Sequence, residues 1–287
     1  NIEQPSDADV AKAAGAQGIG LFRSEYMLGS RAVDALDEEY QFAVYRDLAE
    51  RMAPLPVTIR TFDLDEAHAA GPARSPGQTV ASGTSEISRG PLGMRGLRLS
   101  LHRPEAFHSQ LRALVRAARH GHVRILFPFV TSVDELREAR GALRAAQAEI
   151  TARDGLDPEI PVGAMIEVPS AALTADLLAD EVEFFSLGTN DLVQYCLAVD
   201  RSDPRVAGLY DPLHPAILRV VRLVVRAARA RRRAVAVCGE MAADPAPLAL
   251  LIGLGVTALS MSPSAIPGAR TVIQQIRAAD VRRLART

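Results

Sequence analysis

Acids, arginines, an amide and a thiol recur in short polar groups along the chain: Arg23-Ser24-Glu25, Arg60 with Asp63, Glu167, Thr189-Asn190-Asp191, Cys238-Gly239-Glu240 and Ser260-Met261-Ser262. Two carboxylates beside an amide suit a hard cation with oxygen ligands, and Mg²⁺ takes one or two carboxylates plus ligand oxygens and water. No histidine and cysteine set has the spacing of a zinc site. Several arginines beside such a metal neutralise a phosphate and grip its oxygens in pairs. Metal and arginines together suit a small substrate carrying both carboxylate and phosphate. Phosphoryl transfer from it is mostly positioning and charge stabilisation. It leaves an enolate, which a metal can hold and an acid such as a thiol can protonate.

Each of these residues alone has an ordinary role. Glu167 or Asp191 can be a loop acid or a helix cap, Arg23 with Glu25 a surface ion pair of little worth, and Cys238 a small buried packing residue. Position decides between the readings. Residues 18–23 (GIGLFR), 57–63 (VTIRTFD), 123–129 (VRILFPF), 162–167 (VGAMIE), 183–188 (EFFSLG), 234–239 (AVAVCG) and 256–261 (VTALSM) read as buried parallel strands. An eighth is expected around residues 96–100. Helices lie between them: one from the capping-box spacing Ser132-Val133-Asp134-Glu135 toward Gly155, one opened by Pro104 and ending near His120, one opened by Pro215 and ending in residues 231–233. Eight strand–helix units in this length predict a (β/α)8 barrel, one domain over residues 1–287. In such a barrel all the polar groups named above sit at strand carboxyl ends, on one mouth. Unrelated structural roles do not gather at one end. Residues 64–92, rich in Gly, Pro, Ser and Ala without a period, read as an irregular insertion, a lid or unordered chain.

Bulk properties set bounds. Of 287 residues 48% are hydrophobic and 23% charged, enough apolar material for a large core. A formal net charge of −1 gives no reason to expect nucleic acid or an anionic membrane as partner, so an anionic substrate needs a local cluster. Cys196 and Cys238 cannot make a disulfide framework, and no apolar run is long enough to span a bilayer. The expected location is cytoplasmic. The chain opens on Asn1 rather than Met, and the expectation is a domain of a longer protein.

These residues also carry a resemblance. The runs Gly18-Ile19-Gly20-Leu21-Phe22-Arg23-Ser24-Glu25, Ser186-Leu187-Gly188-Thr189-Asn190-Asp191-Leu192, Ala198-Val199-Asp200-Arg201, Leu209-Tyr210-Asp211-Pro212-Leu213-His214-Pro215 and Cys238-Gly239-Glu240 occur in order almost end to end. In them the chain resembles the carboxy-terminal, phosphoenolpyruvate-binding barrel of phosphoenolpyruvate–protein phosphotransferases, Enzyme I of the sugar phosphotransferase system. The resemblance implies Mg²⁺ on Glu167 and Asp191, and phosphoenolpyruvate held by Asn190 and by Arg23, Arg60, Arg95 and Arg201. It implies Cys238 as the acid that protonates enolpyruvate at its methylene carbon. It further implies a phosphoryl acceptor histidine on a separate amino-terminal domain, a phosphocarrier protein reached through that domain, and a homodimer. None of the six histidines here sits in a matching motif. One departure stands out: where the family continues Gly-Gly-Asp-Lys, this chain has Leu64-Asp65-Glu66-Ala67. Three other readings stand beside the resemblance: the barrel of pyruvate phosphate dikinase or phosphoenolpyruvate synthase, which uses similar residues; a magnesium-dependent aldolase or lyase acting on a pyruvate enolate, which needs the metal carboxylates but not four arginines and a thiol; and, from the lost Gly-Gly-Asp-Lys, a non-catalytic phosphoenolpyruvate-binding or dimerisation domain.

Overall fold

A computed structural model describes residues 1–29, 32, 37–69, 92–155 and 158–285. Seven parallel strands follow one another in the order of the chain: β1 (Ile19–Arg23), β2 (Val57–Arg60), β3 (Val123–Phe127), β4 (Val162–Ile166), β5 (Phe184–Leu187), β6 (Ala234–Val237) and β7 (Ala258–Leu259). Each falls within a run expected from sequence. The register levels their carboxyl ends, pairing Arg23 with Arg60, Arg60 with Leu126, Ile166 with Leu187 and Leu187 with Val237.

The expected eighth strand at residues 96–100 is not one. Residues Leu97–His102 form a short helix, and β2 pairs directly with β3, leaving no berth between them. Leucines at 97, 99 and 101 have the alternation of a strand, but Gly96 turns the chain at φ +56, conformational space that favours glycine. A Cβ there would also stand 2.5 Å from that of Phe129. The sheet is instead nearly closed by Asn1-Ile2. Ile2 bridges Phe22 in parallel, donating to the Leu21 carbonyl and accepting from the Arg23 N–H. On its other side, Asn1 accepts from Ser260 Oγ at 2.6 Å and donates through Nδ2 to the Cys238 carbonyl at 2.8 Å. The result is a parallel, nearly closed barrel of the expected class.

Alternation along the strands sorts the core into two. Ile59, Ile125, Phe127, Ile166, Phe185, Leu187 and Val237 point outward into one large cluster beneath the helices. Leu21, Leu126, Met165, Phe184 and Cys238 form a separate, small cluster, which the same alternation places inside the barrel. The helices begin and end as their sequences direct. Val133–Asp154 is capped by Ser132 Oγ, which accepts the Glu135 N–H, and stops at Gly155 with φ +71. Pro104–Ala117 and Pro215–Ala230 each carry proline in the first turn. Of the stretch 64–92, residues 66–69 form one helical turn, while 70–91 lie outside the described residues. Among the described residues no helix is long and apolar enough to cross a membrane.

Candidate functional site

Beyond β2 the chain delivers Asp63, beyond β4 Glu167, and in the first turn after β5 Asp191. Carboxylate oxygens of these three lie within 4.8 Å of one another, all three in or near the protein interior. Two arginines are inserted among them. Arg95 grips Asp63 with both Nε and Nη2 at 3.0 Å, and its Nη2 also reaches Asp191 at 2.6 Å. Its Nη1 donates to Tyr195 Oη at 3.2 Å, and its guanidinium lies 5.1 Å from the centre of the Phe129 ring. Arg60 stands 2.9 Å from Asp63 through Nη1 and pairs with Glu25 through Nη2.

Glu167 is fixed from the side by an unusual backbone. Phe129, with φ +54, turns its N–H onto Glu167 Oε1 at 2.6 Å. Gly188 leaves the space that Glu167 fills, since a Cβ there would meet its Oε2 at 2.5 Å. Burial, with the charges of Asp63 and Asp191 adding to it, pushes the Glu167 carboxyl up to about 8. Asp63 goes the other way: burial works against its charge, but the guanidiniums of Arg60 and Arg95 outweigh it and hold the group below the ordinary range. Two acids side by side are thus set apart by which of them the arginines grip.

The rest of the mouth is an open cavity of about 390 Å³, lined among others by Arg23, Asn190, Cys238, Gly239 and Glu240. Arg23 meets Glu3 at 3.4 Å, not the neighbouring Glu25, which belongs to Arg60. Asn190 accepts the Glu240 N–H at 3.0 Å and faces its carboxylate at 3.4 Å. Arg201 approaches the same carboxylate at 4.0 Å. Cys238 is 5% exposed, its Sγ 3.5 Å from the Leu187 carbonyl, and burial pushes its thiol up, so that it keeps its proton at neutral pH.

The structure therefore joins Arg60, Arg95 and Asp191 through Asp63, sets Glu167 within 4.8 Å of both acids, and gathers Arg23, Asn190 and Cys238 around one cavity. Arg201 joins them through Glu240. The sequence assigns no role to Asp63, Tyr195 or Phe129, and it pairs Glu25 with Arg23 where the structure pairs it with Arg60. Asp63 was visible as a strand end; its pairing with an arginine 32 residues further on was not. In the substituted segment, the Asp65 side chain caps the following helical turn and pairs at 2.7 Å with His68, which is 77% exposed. The backbone of Asp65 bridges that of Arg95 in antiparallel sense.

An all-oxygen donor set of three carboxylates is the chemistry of a hard cation, and the arginines around it are suited to an anion. Fold and site together define a parallel barrel whose carboxyl-end mouth can take a cation and an anion side by side. The profile of the family described as PEP-utilising enzyme, PEP-binding domain, matches residues 1–278, and the chain belongs to that family. A phosphoenolpyruvate-protein phosphotransferase of Priestia megaterium is 41% identical over 283 residues, covering 98% of this chain and 48% of the relative. One of Cupriavidus necator is 43% identical over 265 residues, covering 92% and 44%. A multiphosphoryl transfer protein of Xanthomonas campestris is 41% identical over 272 residues, covering 94% and 30%. The chain spans about half the length of the curated phosphotransferases it matches.

Proposed function

We propose that this chain is the phosphoenolpyruvate-binding barrel of a phosphoenolpyruvate–protein phosphotransferase. In that role it binds phosphoenolpyruvate with Mg²⁺ and supports transfer of its phosphoryl group to a histidine on an amino-terminal domain. The observation that carries the reading is a single mouth in which Arg60 and Arg95 pair with Asp63 and Asp191, with Glu167 within 4.8 Å of both acids, beside a cavity lined by Arg23, Asn190 and Cys238. Identity near 40% to proteins of that name supports the choice among phosphoenolpyruvate-utilising enzymes.

Glu167 and Asp191 hold the metal in this reading, which when bound supplies positive charge against the developing enolate. Asp63, already gripped on both oxygens by arginine, serves chiefly to aim Arg60 and Arg95 at the ligand. Arg23 and Arg201 approach the phosphate and carboxylate from the open side, with Asn190 donating its amide. The bond from phosphorus to the enol oxygen breaks as one forms to the acceptor histidine nitrogen. The thiol of Cys238 then passes its proton to the methylene carbon, leaving pyruvate. The high thiol pKa suits a donor that must arrive protonated. The reading places the chain in a cytoplasmic homodimer that reaches a phosphocarrier through the histidine domain.

Calorimetry with phosphoenolpyruvate and Mg²⁺ tests binding, and a pyruvate assay with and without a supplied histidine domain tests transfer. Binding by the chain alone, with pyruvate formed only when the acceptor domain is present, is the expected result. Pyruvate release without any acceptor would point to a lyase, and binding without turnover in either arm to a purely binding domain. Sedimentation with ligand present tests the dimer.

A further inference from the structure

Behind the β1 and β2 ends, on the outer side of the barrel, lies a set of buried polar side chains in an otherwise apolar layer. Ser24, Gln41, Tyr45 and Gln110 are each no more than 1% exposed. Gln110, from the middle of the helix Pro104–Ala117, is bonded on both ends of its amide. Its Oε1 accepts the Phe62 N–H at 3.1 Å. Its Nε2 donates to Ser24 Oγ at 3.2 Å and to Tyr45 Oη at 2.9 Å. Ser24 Oγ in turn donates to the Arg60 carbonyl at 2.6 Å.

Burying four polar side chains is costly unless each is bonded, and a connected network is rigid when it is. The bonds fall where the barrel ladder runs out. Strand β2 ends at Arg60 and its next residue, Thr61, still donates to the Leu126 carbonyl of β3. Phe62 lies beyond, and on that side β1 has already turned into the 3-10 helix Ser24–Leu28. Gln110 receives the N–H there, so the chain stays in line as far as Asp63. We infer that Gln110 and Ser24 are positioning residues for the anion site: they hold the Arg60–Asp63 segment, and through it the guanidiniums of Arg60 and Arg95. The inference rests on the proposed function for what those arginines bind, though not for the clamp itself.

Tyr45 supplies the control. Its hydroxyl belongs to the same buried network, meeting Gln110 and Gln41, but makes no hydrogen bond to the β2 backbone among the described residues, so a purely structural role predicts like behaviour for all three residues. The variants are Gln110→Met, Ser24→Ala and Tyr45→Phe, each followed by thermal melting, amide hydrogen exchange of the peptide carrying Thr61 to Asp63, and phosphoenolpyruvate affinity with Mg²⁺. All three are expected to melt at lower temperature. Exchange in that peptide is expected to quicken, and affinity to fall by roughly 10–100-fold, the scale of losing an outer-shell partner, in Gln110→Met and Ser24→Ala. Tyr45→Phe should leave both close to the parent. Unchanged exchange in Gln110→Met and Ser24→Ala, or an equal rise in Tyr45→Phe, overturns the inference, and Ser24→Ala decides if Gln110→Met does not fold. A parent chain that binds no phosphoenolpyruvate overturns the functional reading instead, and the exchange result still decides the clamp.

Discussion

On one side of the barrel mouth Asp63 is held by two guanidiniums, and the side chains of Arg60 and Arg95 are only 10% and 19% exposed. On the other, Arg23 and Arg201 each meet one carboxylate, at 3.4 and 4.0 Å, and keep 34% and 47% of their side chains in solvent. The first half is largely buried and its arginines are already ion-paired before any ligand arrives. The second, where Arg23 ends β1 and Arg201 follows the helix Thr189–Leu197, leaves its cations under-used. A ligand entering here finds fixed groups on one side and groups free to close on it from the other. Charges already paired in a dry site need little reorganisation when the ligand binds, whereas exposed arginines lose side-chain entropy on binding and act chiefly as a clamp.

That contrast is sharpest at the metal carboxylates. Glu167→Gln and Asp191→Asn each take a carboxylate ligand from the closed half, where the third carboxylate, Asp63, is already held by Arg60 and Arg95. Mg²⁺-dependent binding of phosphoenolpyruvate is expected to be lost, by more than about 10²-fold in affinity, a loss beyond that of removing an outer-shell partner. Circular dichroism should show the fold intact. Undiminished binding by calorimetry in either variant would move the metal elsewhere and dissolve the distinction between the halves.

Cys238 lies between them, packed in the inner cluster yet lining the open cavity. As a proton donor it should be dispensable for affinity and essential for turnover. Cys238→Ala is expected to bind phosphoenolpyruvate nearly as the parent does, while pyruvate formation with the histidine domain falls by roughly 10²–10⁴-fold. Near-normal single turnover in the folded variant would return the residue to packing alone.

For the open half the expected effects are smaller and fall on affinity. Arg23→Ala and Arg201→Ala each remove a charge-assisted contact, at about 1.5–3 kcal/mol, or roughly 10–100-fold in phosphoenolpyruvate affinity. Raised salt should weaken binding through these exposed cations more than through Arg60 and Arg95. An equal salt response in Arg201→Ala and in the parent would show that the open half does not clamp.

The same division governs what could be read before the structure. Strand ends were legible because apolar runs such as VTIR and VGAMI stop at polar residues, so Glu167, Arg60 and Cys238 could be placed at one mouth. The closing segment was not legible, because Asn1-Ile2 is too short to carry any period, while Leu97, Leu99 and Leu101 imitate one. Nor was the role of Asp63. Its partner Arg95 stands 32 residues further on, and no local pattern encodes that pairing. Phe129 is less accessible still, since an aromatic residue gives no warning of a left-handed backbone. Gln110 looks from sequence like one more polar residue on a surface helix.

The smallest expected effect is a proton. With its carboxyl pushed up to about 8, Glu167 is mostly protonated at pH 7 in the metal-free chain, while the depressed pKa of Asp63 keeps that group charged. A cation coordinates the carboxylate and not the acid, so metal uptake should release close to one proton from the closed half and none from the open half. Apparent Mg²⁺ affinity should rise about fivefold between pH 7 and pH 8 and level off above it, following the ionised fraction of a group titrating there. Calorimetry in two buffers of different ionisation enthalpy counts the proton. Stability without metal carries the matching signature. The raised Glu167 pKa contributes stability that is complete below its ordinary value of 4.5 and is lost as pH climbs through about 8. The lowered Asp63 pKa contributes stability present above 3.8 and lost only in stronger acid. Saturating Mg²⁺ should therefore stabilise the chain more at pH 8 than at pH 6. A metal-induced rise in melting temperature that is the same at both, with no proton released, would mean that Glu167 is already ionised in the empty site and that the arginines neutralise all three carboxylates alike.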